Sequence, residues 1–128
     1  MNLNFKKISI IGLGLIGTSI LHAIKNKEED EVITFAYDIN PNHREIVMQL
    51  KIASFVCDDI QDAVKEADLV ILAVPVGAMK TVASLIAPFL KNNTIVTDTG
   101  STKGSVISDV NPYLSNNVYF IPSHPLAG

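Results

Sequence analysis

Three closely spaced glycines that follow an apolar run constrain this chain more than any other feature of its sequence. Residues 8–11 are rich in β-branched side chains, as a buried strand is, and helix-like apolar spacing resumes after the glycines. Gly12, Gly14 and Gly17 form the pattern G-x-G-x-x-G. In a dinucleotide site the first glycine allows the tight turn, the second lets the backbone approach a pyrophosphate, and the third lets the helix lie against the sheet. The pattern therefore predicts a strand, a turn and a helix built around a bound anion.

The start of that helix supplies the expected anion contacts. The amides of Leu15 and Ile16 would point out of the helix N-terminus, where the helix dipole favours negative charge. Two other interpretations are a glycine turn inside a buried α/β unit and a secretory signal, since two lysines precede the uncharged residues 8–21. Three glycines would weaken a signal helix and no A-x-A-like cleavage site follows, so the dinucleotide site is favoured.

The composition excludes several other classes of protein. The 128 residues are 48% hydrophobic, which suits one domain with a core and argues against disorder. The formal net charge is −3 and no basic face is clustered, so nucleic acid is not an expected partner. No uncharged apolar run is long enough for a membrane span. Cys57 is the only cysteine and the histidines are scattered, so we expect no disulfide within the chain, no metal site and a cytoplasmic location.

Strand-like and helix-like segments alternate along the whole chain. Strands are predicted at residues 6–11, 32–37, 54–57, 68–75, 94–98 and 118–121. Helices are predicted at residues 15–25, 41–51 and 79–90, with one from the caps Asp58 and Asp59 through Ala67 and one through Val106 and Val110. The sequence thus predicts an α/β fold of Rossmann type. It is a three-layered, doubly wound parallel sheet with strand order 3-2-1-4-5-6 and right-handed crossovers.

Asp38 closes the second predicted strand, about 20 residues after Gly17. An acidic residue at this spacing accepts hydrogen bonds from the adenosine ribose of NAD and repels the 2′-phosphate of NADP by like charge. Alone, Asp38 would equally suit a turn or cap before Asn40-Pro41, but together with the glycines the ribose role is favoured. Arg44 could bind a 2′-phosphate, so NADP remains a possible cofactor. Residues such as His43 and Arg44 more often belong to a solvated helix face.

Ligands of such sheets collect beyond the carboxyl ends of the strands. Besides the glycine turn and Asp38, that rule selects the residues after strands 4, 5 and 6. The predicted cofactor contacts there are Val74, Pro75, Val76, Thr99, Gly100 and Ser101. Ser101 can bind a ligand through its hydroxyl or act as a helix N-cap. His124 can take a proton near neutral pH, or be a loop histidine fixed by its neighbouring prolines.

Several of these stretches together resemble the prephenate dehydrogenase family, including its arogenate-using members. The segments are G-L-G-L-I-G-T-S from Gly12, Y-D ending at Asp38, V-I-L-A-V-P-V from Val70, D-T-G-S-T-K from Asp98 and H-P-L-A-G from His124. Many dehydrogenases share the first segment, whereas D-x-G-S-x-K followed by H-P-x-A-G is far more specific. Thr99 and Thr102 stand where valine is common in the family, and Leu126 stands where methionine or isoleucine is common.

The resemblance implies NAD-dependent oxidative decarboxylation of prephenate to 4-hydroxyphenylpyruvate, a step towards tyrosine. It implies that His124 polarises the substrate hydroxyl and accepts its proton, and that Ser101 helps to orient His124 and the nicotinamide. Family members continue into a mostly helical second domain with further substrate contacts and most of a homodimer interface. Residues 1–128 are therefore expected to be the NAD-binding domain, inactive or nearly so by itself. The alternatives are a non-catalytic NAD-binding or redox-sensing module and another reductase of the β-hydroxyacid or imine type.

Overall fold

A single parallel sheet organises the computed structural model, which describes residues 5–27, 32–99, 114 and 117–121. Within these residues six strands pair in the order β3-β2-β1-β4-β5-β6, and every pairing is parallel. The strands are β1 (Lys7–Ile11), β2 (Ile33–Tyr37), β3 (Phe55–Val56), β4 (Leu69–Leu72), β5 (Ile95–Asp98) and β6 (Tyr119–Phe120). The predicted fold class and strand order are confirmed.

Four α-helices of the described residues connect these strands. They are α1 (Leu15–Asn26), α2 (Pro41–Leu50), α3 (Ile60–Val64) and α4 (Met79–Ile86). Two short 3₁₀ turns, Val76–Ala78 and Ala87–Phe89, flank α4. No helix in the described part of the chain is long and apolar enough to cross a membrane.

Both faces of the sheet are covered, as the apolar strands predict. On one face Ile10 of β1 packs in a cluster with Leu21 of α1 and Val47 of α2, and all three are fully buried. On the other face Ile11 packs in a cluster with Met79 of α4. Neighbouring residues of β1 thus serve opposite layers, because side chains alternate across a strand.

Several predicted boundaries differ from those of the structure. α3 ends at Val64 instead of continuing through Ala67, and no side-chain hydrogen bond from Asp59 caps it. α4 ends at Ile86, where Pro88 lacks the N–H that a further α-helical turn requires, and the chain continues as a 3₁₀ turn. α2 ends at Leu50, one residue from its predicted end, because Lys51 adopts a left-handed conformation with φ 56°. The β4 ladder ends at Leu72, three residues before the proline expected to stop it.

The strand order reverses between β1 and β4, which lie side by side in the middle of the sheet with Ile11 paired to Leu72. β1 leads into a helix on one face of the sheet, and β4 leads into a helix on the other. A crevice therefore opens beyond their carboxyl ends, and this is where α/β sheets bind ligands. The helix predicted through Val106 and Val110 lies outside the described residues.

Candidate functional site

The three glycines of the turn after β1 are constrained in different ways. Gly12 has φ +105°, and a Cβ there would collide with the carbonyl oxygen of Ala73. A Cβ on Gly17 would collide with the carbonyl oxygen of Gly12, so this glycine lets α1 lie against the turn. Gly14 differs, because a Cβ there would meet no atom of the described residues within 4 Å. The packing of the chain does not require glycine at position 14, and the open space beside it is available to a ligand.

α1 begins at the edge of that open space. Gly14 is its N-cap residue, and no acidic residue stands in its first turn. In the part of the chain that the structure describes, no side chain caps that turn by a hydrogen bond. The side chains of Leu15 and Ile16 are exposed, at 86% and 55%. The first amides of a twelve-residue helix are therefore free of side-chain caps, in the place where the helix dipole favours an anion.

Asp38 lies directly after β2 and faces the glycine turn. Its Oδ2 accepts a hydrogen bond from the backbone N–H of Leu13 at 2.7 Å, and its Oδ1 accepts the N–H of Asn40 at 2.8 Å. His43 Nδ1 lies 3.2 Å from Oδ2. Partial burial alone would raise the pKa of Asp38, but the hydrogen bonds from Leu13, Asn40 and His43 outweigh it and hold that pKa below its ordinary value. Asp38 is thus an ionised acceptor beside the turn.

The start of α2 fixes the residues around Asp38. The Asn40 side chain caps α2 by accepting the N–H of Asn42 at 2.9 Å, and Pro41 occupies the first helical position. This geometry directs Arg44 back onto β2, where its Nη1 donates to the carbonyl oxygen of Asp38 at 2.7 Å. The Arg44 guanidinium also lies over the ring of Tyr37, 5.7 Å from its centroid. Arg44 is therefore engaged with the backbone and the ring, and not part of a solvated helix face.

One cavity of about 1130 Å³ joins these features. Of the predicted cofactor contacts, those that line it are Gly12, Gly14, Leu15, Ile16, Asp38, Val74, Pro75, Val76 and Thr99. Gly17 stands behind the turn and acts through packing. Gly100, Ser101 and His124 lie outside the described residues. The turn after β1, the end of β2 and the ends of β4 and β5 thus share one space, as the switch-point rule predicts.

Sequence reasoning missed part of the lining. His43, Ile39, Ile60 and Leu85 also border the cavity, although Ile39 belongs to the β2–α2 connection and the others to three different helices. His43 is in the first turn of α2, which begins three residues after Asp38, and that proximity was the available signal. Val82 of α4 is half-buried and borders the cavity as well.

The cysteine is consistent with a packing role. Cys57 is half-buried and packs against the cluster around Met79. Burial raises the pKa of the Cys57 thiol, and the nearby carboxylates of Asp62 and Asp58 add to this effect. A thiol that stays protonated is a poor nucleophile, so this residue contributes no reactive group to the site.

Comparison with known proteins identifies the domain. The family model described as "prephenate dehydrogenase, nucleotide-binding domain" matches residues 21–128. A cyclohexadienyl dehydrogenase of Zymomonas mobilis is 50% identical over 97% of this chain, and a prephenate dehydrogenase of Lactococcus lactis is 39% identical over 96%. The chain covers 42% and 34% of those two proteins, so it spans less than half of the length of these relatives.

A solved structure agrees with the sequence matches. The crystal structure of prephenate dehydrogenase from Aquifex aeolicus, in complex with hydroxyphenyl propionate and NAD⁺, superposes with a TM-score of 0.84 at 27% identity. That match covers 100% of this chain and 44% of the crystallised one. The family model begins after the glycine turn, whereas the alignments to the two relatives cover 97% and 96% of the chain and therefore include that turn. This chain belongs to the prephenate dehydrogenase family, as its nucleotide-binding domain.

Proposed function

We propose that this chain is the NAD-binding part of an enzyme that oxidises and decarboxylates prephenate to 4-hydroxyphenylpyruvate, a step towards tyrosine. The observation that carries the proposal is the cavity in which the open side of Gly14, the start of α1 and the carboxylate of Asp38 face one space. The sequence relatives named prephenate and cyclohexadienyl dehydrogenase support the reaction class.

The described residues fit NAD. Its pyrophosphate would lie against Gly14 and the first amides of α1, which are free of side-chain caps. Its adenosine ribose would donate hydrogen bonds to the carboxylate of Asp38. The ends of β4 and β5, at Val74 and Thr99, would then border the nicotinamide half. Because Asp38 is ionised, a 2′-phosphate would meet like charge, which favours NAD over NADP.

The resemblance implies which protein groups act on the substrate. A bound nicotinamide would supply the acceptor for the hydride of the ring carbon that bears the substrate hydroxyl. His124 would take the proton of that hydroxyl, because imidazole is a base near neutral pH. Ser101 would orient His124 and the substrate hydroxyl through hydrogen bonds. The ring carboxylate leaves as CO₂ and the ring becomes aromatic, which supplies driving force that the protein does not have to create.

Part of the substrate site would lie beyond this domain. The proposal includes a second, mostly helical domain that supplies a cationic contact for the substrate carboxylates and a homodimer interface. Arogenate is the second candidate substrate, since the resemblance includes arogenate-using enzymes. The choice between the two would depend on contacts to the group in which prephenate and arogenate differ.

The decisive experiment uses the protein with its natural downstream sequence. We expect NADH to form when NAD and either prephenate or arogenate are supplied together, and to be absent when the ring substrate is omitted. The ratio of kcat/KM for the two substrates identifies the physiological one. Tight NAD binding with no turnover of either substrate would instead favour a non-catalytic NAD-binding module.

A further inference from the structure

We propose that His43 makes the choice between NAD and NADP depend on pH, because it competes with the cofactor ribose for the carboxylate of Asp38. The inference rests on the proposed function in one respect, that Asp38 binds the ribose. His43 is a positioning residue in this scheme, since it acts through Asp38.

The acceptor capacity of Asp38 is nearly filled without any ligand. A carboxylate offers about four lone-pair sites. The N–H of Leu13 and His43 Nδ1 both meet Oδ2, at 2.7 and 3.2 Å, and the N–H of Asn40 meets Oδ1 at 2.8 Å. One site is left, whereas a ribose presents two neighbouring hydroxyls. A ribose that donates both hydroxyls to Asp38 therefore has to displace one of the present donors.

His43 is the donor that can leave. Leu13 and Asn40 donate from the backbone, and the glycine turn and the α2 cap hold them in place. The His43 contact is the longest of the three and comes from a side chain that is 42% exposed and borders the cavity. Rotation of this side chain opens the second acceptor site without any change in the backbone.

The charge of His43 decides how easily it leaves. The charged groups at this corner are Asp38, at the end of β2, Arg44 in α2, and Asp58 in the loop before α3. Arg44 keeps its charge throughout, with Nη1 on the Asp38 carbonyl and Nε 3.8 Å from Asp58 Oδ1. The lowered pKa of Asp38 keeps its carboxylate ionised well below neutral pH. Of these residue types, histidine is the one that ordinarily changes charge between pH 5 and 8.

Protonation of His43 should weaken the binding of NAD and reduce the repulsion between Asp38 and the 2′-phosphate of NADP. A neutral imidazole forms a weak hydrogen bond that the ribose replaces, and it leaves the negative charge of Asp38 uncompensated. An imidazolium forms an ion pair, so it holds Oδ2 more strongly and offsets the charge that repels a 2′-phosphate. Falling pH should therefore weaken NAD binding and reduce the preference for NAD over NADP.

The test compares the Kd of NAD and NADP at about pH 5.5 and pH 8, which bracket the ordinary titration of histidine. We expect the Kd of NAD to rise roughly two- to five-fold at the lower pH, the range of a partly exposed ion pair. His43→Gln keeps a polar side chain that does not titrate, and it should abolish this rise. His22→Gln, at an exposed position of α1 outside the cavity, is the matched control and should retain it.

NADP needs one correction, because its 2′-phosphate also takes up a proton near pH 6. The contribution of His43 to the NAD/NADP ratio is therefore the difference between the wild type and His43→Gln. An equal pH dependence of NAD affinity in the wild type and His43→Gln overturns the inference. His43→Asn gives a second non-titrating variant if His43→Gln does not fold.

Asp38→Asn separates failure of the inference from failure of the proposed function. If Asp38→Asn leaves NAD affinity and the NAD/NADP ratio unchanged, the ribose role is wrong and the inference falls with it. If Asp38→Asn weakens NAD while His43→Gln has the pH dependence of the wild type, only the role of His43 is wrong. Loss of the pH dependence in both variants, but not in His22→Gln, supports the inference.

Discussion

The carboxylate of Asp38 accepts a hydrogen bond from the backbone N–H of Leu13 at 2.7 Å, which ties the end of β2 to the glycine turn 25 residues earlier. A second hydrogen bond joins the same two segments, since the N–H of Gly12 donates to the carbonyl oxygen of Tyr37 at 2.8 Å. The residue proposed to bind the ribose therefore also fixes the backbone near which the pyrophosphate would lie. Under this proposal, one side chain would structurally link the binding of the ribose to the binding of the pyrophosphate.

Replacing Asp38 by alanine should shift the cofactor preference towards NADP. A hydrogen bond to a charged group contributes about 1.5–3 kcal/mol, so Asp38→Ala should weaken NAD binding by about ten-fold or more. NADP should lose less, because the repulsion of its 2′-phosphate disappears with the carboxylate. Calorimetric titration with both cofactors measures the ratio. An unaltered preference for NAD would contradict the ribose assignment.

The open space beside Gly14 makes a more specific prediction. Among residues 5–27, 32–99, 114 and 117–121, a methyl group there meets no atom, so Gly14→Ala should fold and lose at most about 1 kcal/mol as a poorer N-cap. The same methyl group would occupy the space proposed for the pyrophosphate, and NAD affinity should fall at least about ten-fold, the equivalent of 1.4 kcal/mol. Thermal unfolding and NAD titration of the same sample distinguish the two effects.

Gly17→Ala is the contrasting variant. Its added Cβ would collide with the carbonyl oxygen of Gly12, a backbone atom that cannot move without shifting α1 away from the turn. Overpacking of this kind costs about 1–3 kcal/mol or more, so Gly17→Ala should lower the free energy of unfolding as well as NAD affinity. Equal stability of the Gly14→Ala and Gly17→Ala variants would show that the two glycines are not constrained in different ways.

The buried hydroxyl of Ser9 should lower the stability of the sheet. Ser9 is fully buried in β1, between Phe35 and Val70, and its Oγ has no hydrogen-bond partner among the described residues. An unpaired buried polar group costs about 1–3 kcal/mol, so Ser9→Ala should stabilise the domain by about 1 kcal/mol. Urea unfolding measures the change.

Thr94 provides the control for Ser9. Its buried hydroxyl lies within hydrogen-bond distance of the carbonyl oxygens of Ala67 and Lys91, at 3.0 and 2.8 Å. Thr94→Val leaves those carbonyls with one partner fewer and should destabilise by about 1 kcal/mol. A loss of stability in Ser9→Ala of the same size would mean that Ser9 has a partner in solution.

Asp68 should make the stability of the domain sensitive to acid. Its Oδ2 accepts the backbone N–H groups of Lys6 and Lys7, both at 3.0 Å, and its Oδ1 lies 2.7 Å from Lys91 Nζ. Partial burial would raise the pKa of Asp68, but Lys91 and the two backbone donors outweigh it and lower that pKa. The unfolded chain then binds more protons than the folded one. The stabilisation is complete above the ordinary pKa of aspartate, about 3.9, and is lost as pH falls through the lower folded value.

The variant Asp68→Asn tests this predicted loss of stability with falling pH. The variant should unfold at a lower temperature than the wild type at neutral pH, and the difference should shrink as the pH falls below about 4. NAD affinity at neutral pH should be unchanged, because Asp68 precedes β4 and lies at the end of the sheet opposite the cavity. A constant difference in melting temperature at all pH values would exclude a contribution from its ionisation.

The sequence predicted what depends on local pattern and missed what depends on contacts between distant segments. The spacing of Gly12, Gly14 and Gly17 located the turn, and the alternation of apolar segments gave the strand order. The predicted end of α3 was wrong, because Ala67 has the apolar spacing of a helix but lies in the connection to β4. The contact between His43 and Asp38 was missed, since helical periodicity places His43 at the start of α2 without showing which way that helix start faces.

The base proposed for the reaction makes the last prediction. In the protein with its natural downstream sequence, His124→Asn keeps a side chain that can form hydrogen bonds but cannot take the substrate's proton. A positioned base typically contributes about 10²–10⁴ in rate, so kcat should fall by that factor while the Kd of NAD changes little. The acid limb of the wild-type profile of kcat/KM against pH, which reports loss of the free base, should disappear in the variant. His22→Asn, at an exposed histidine of α1, should have wild-type kinetics. If His124→Asn retained both the rate and the acid limb, another group would have to accept the proton, and the role implied by the resemblance would be wrong.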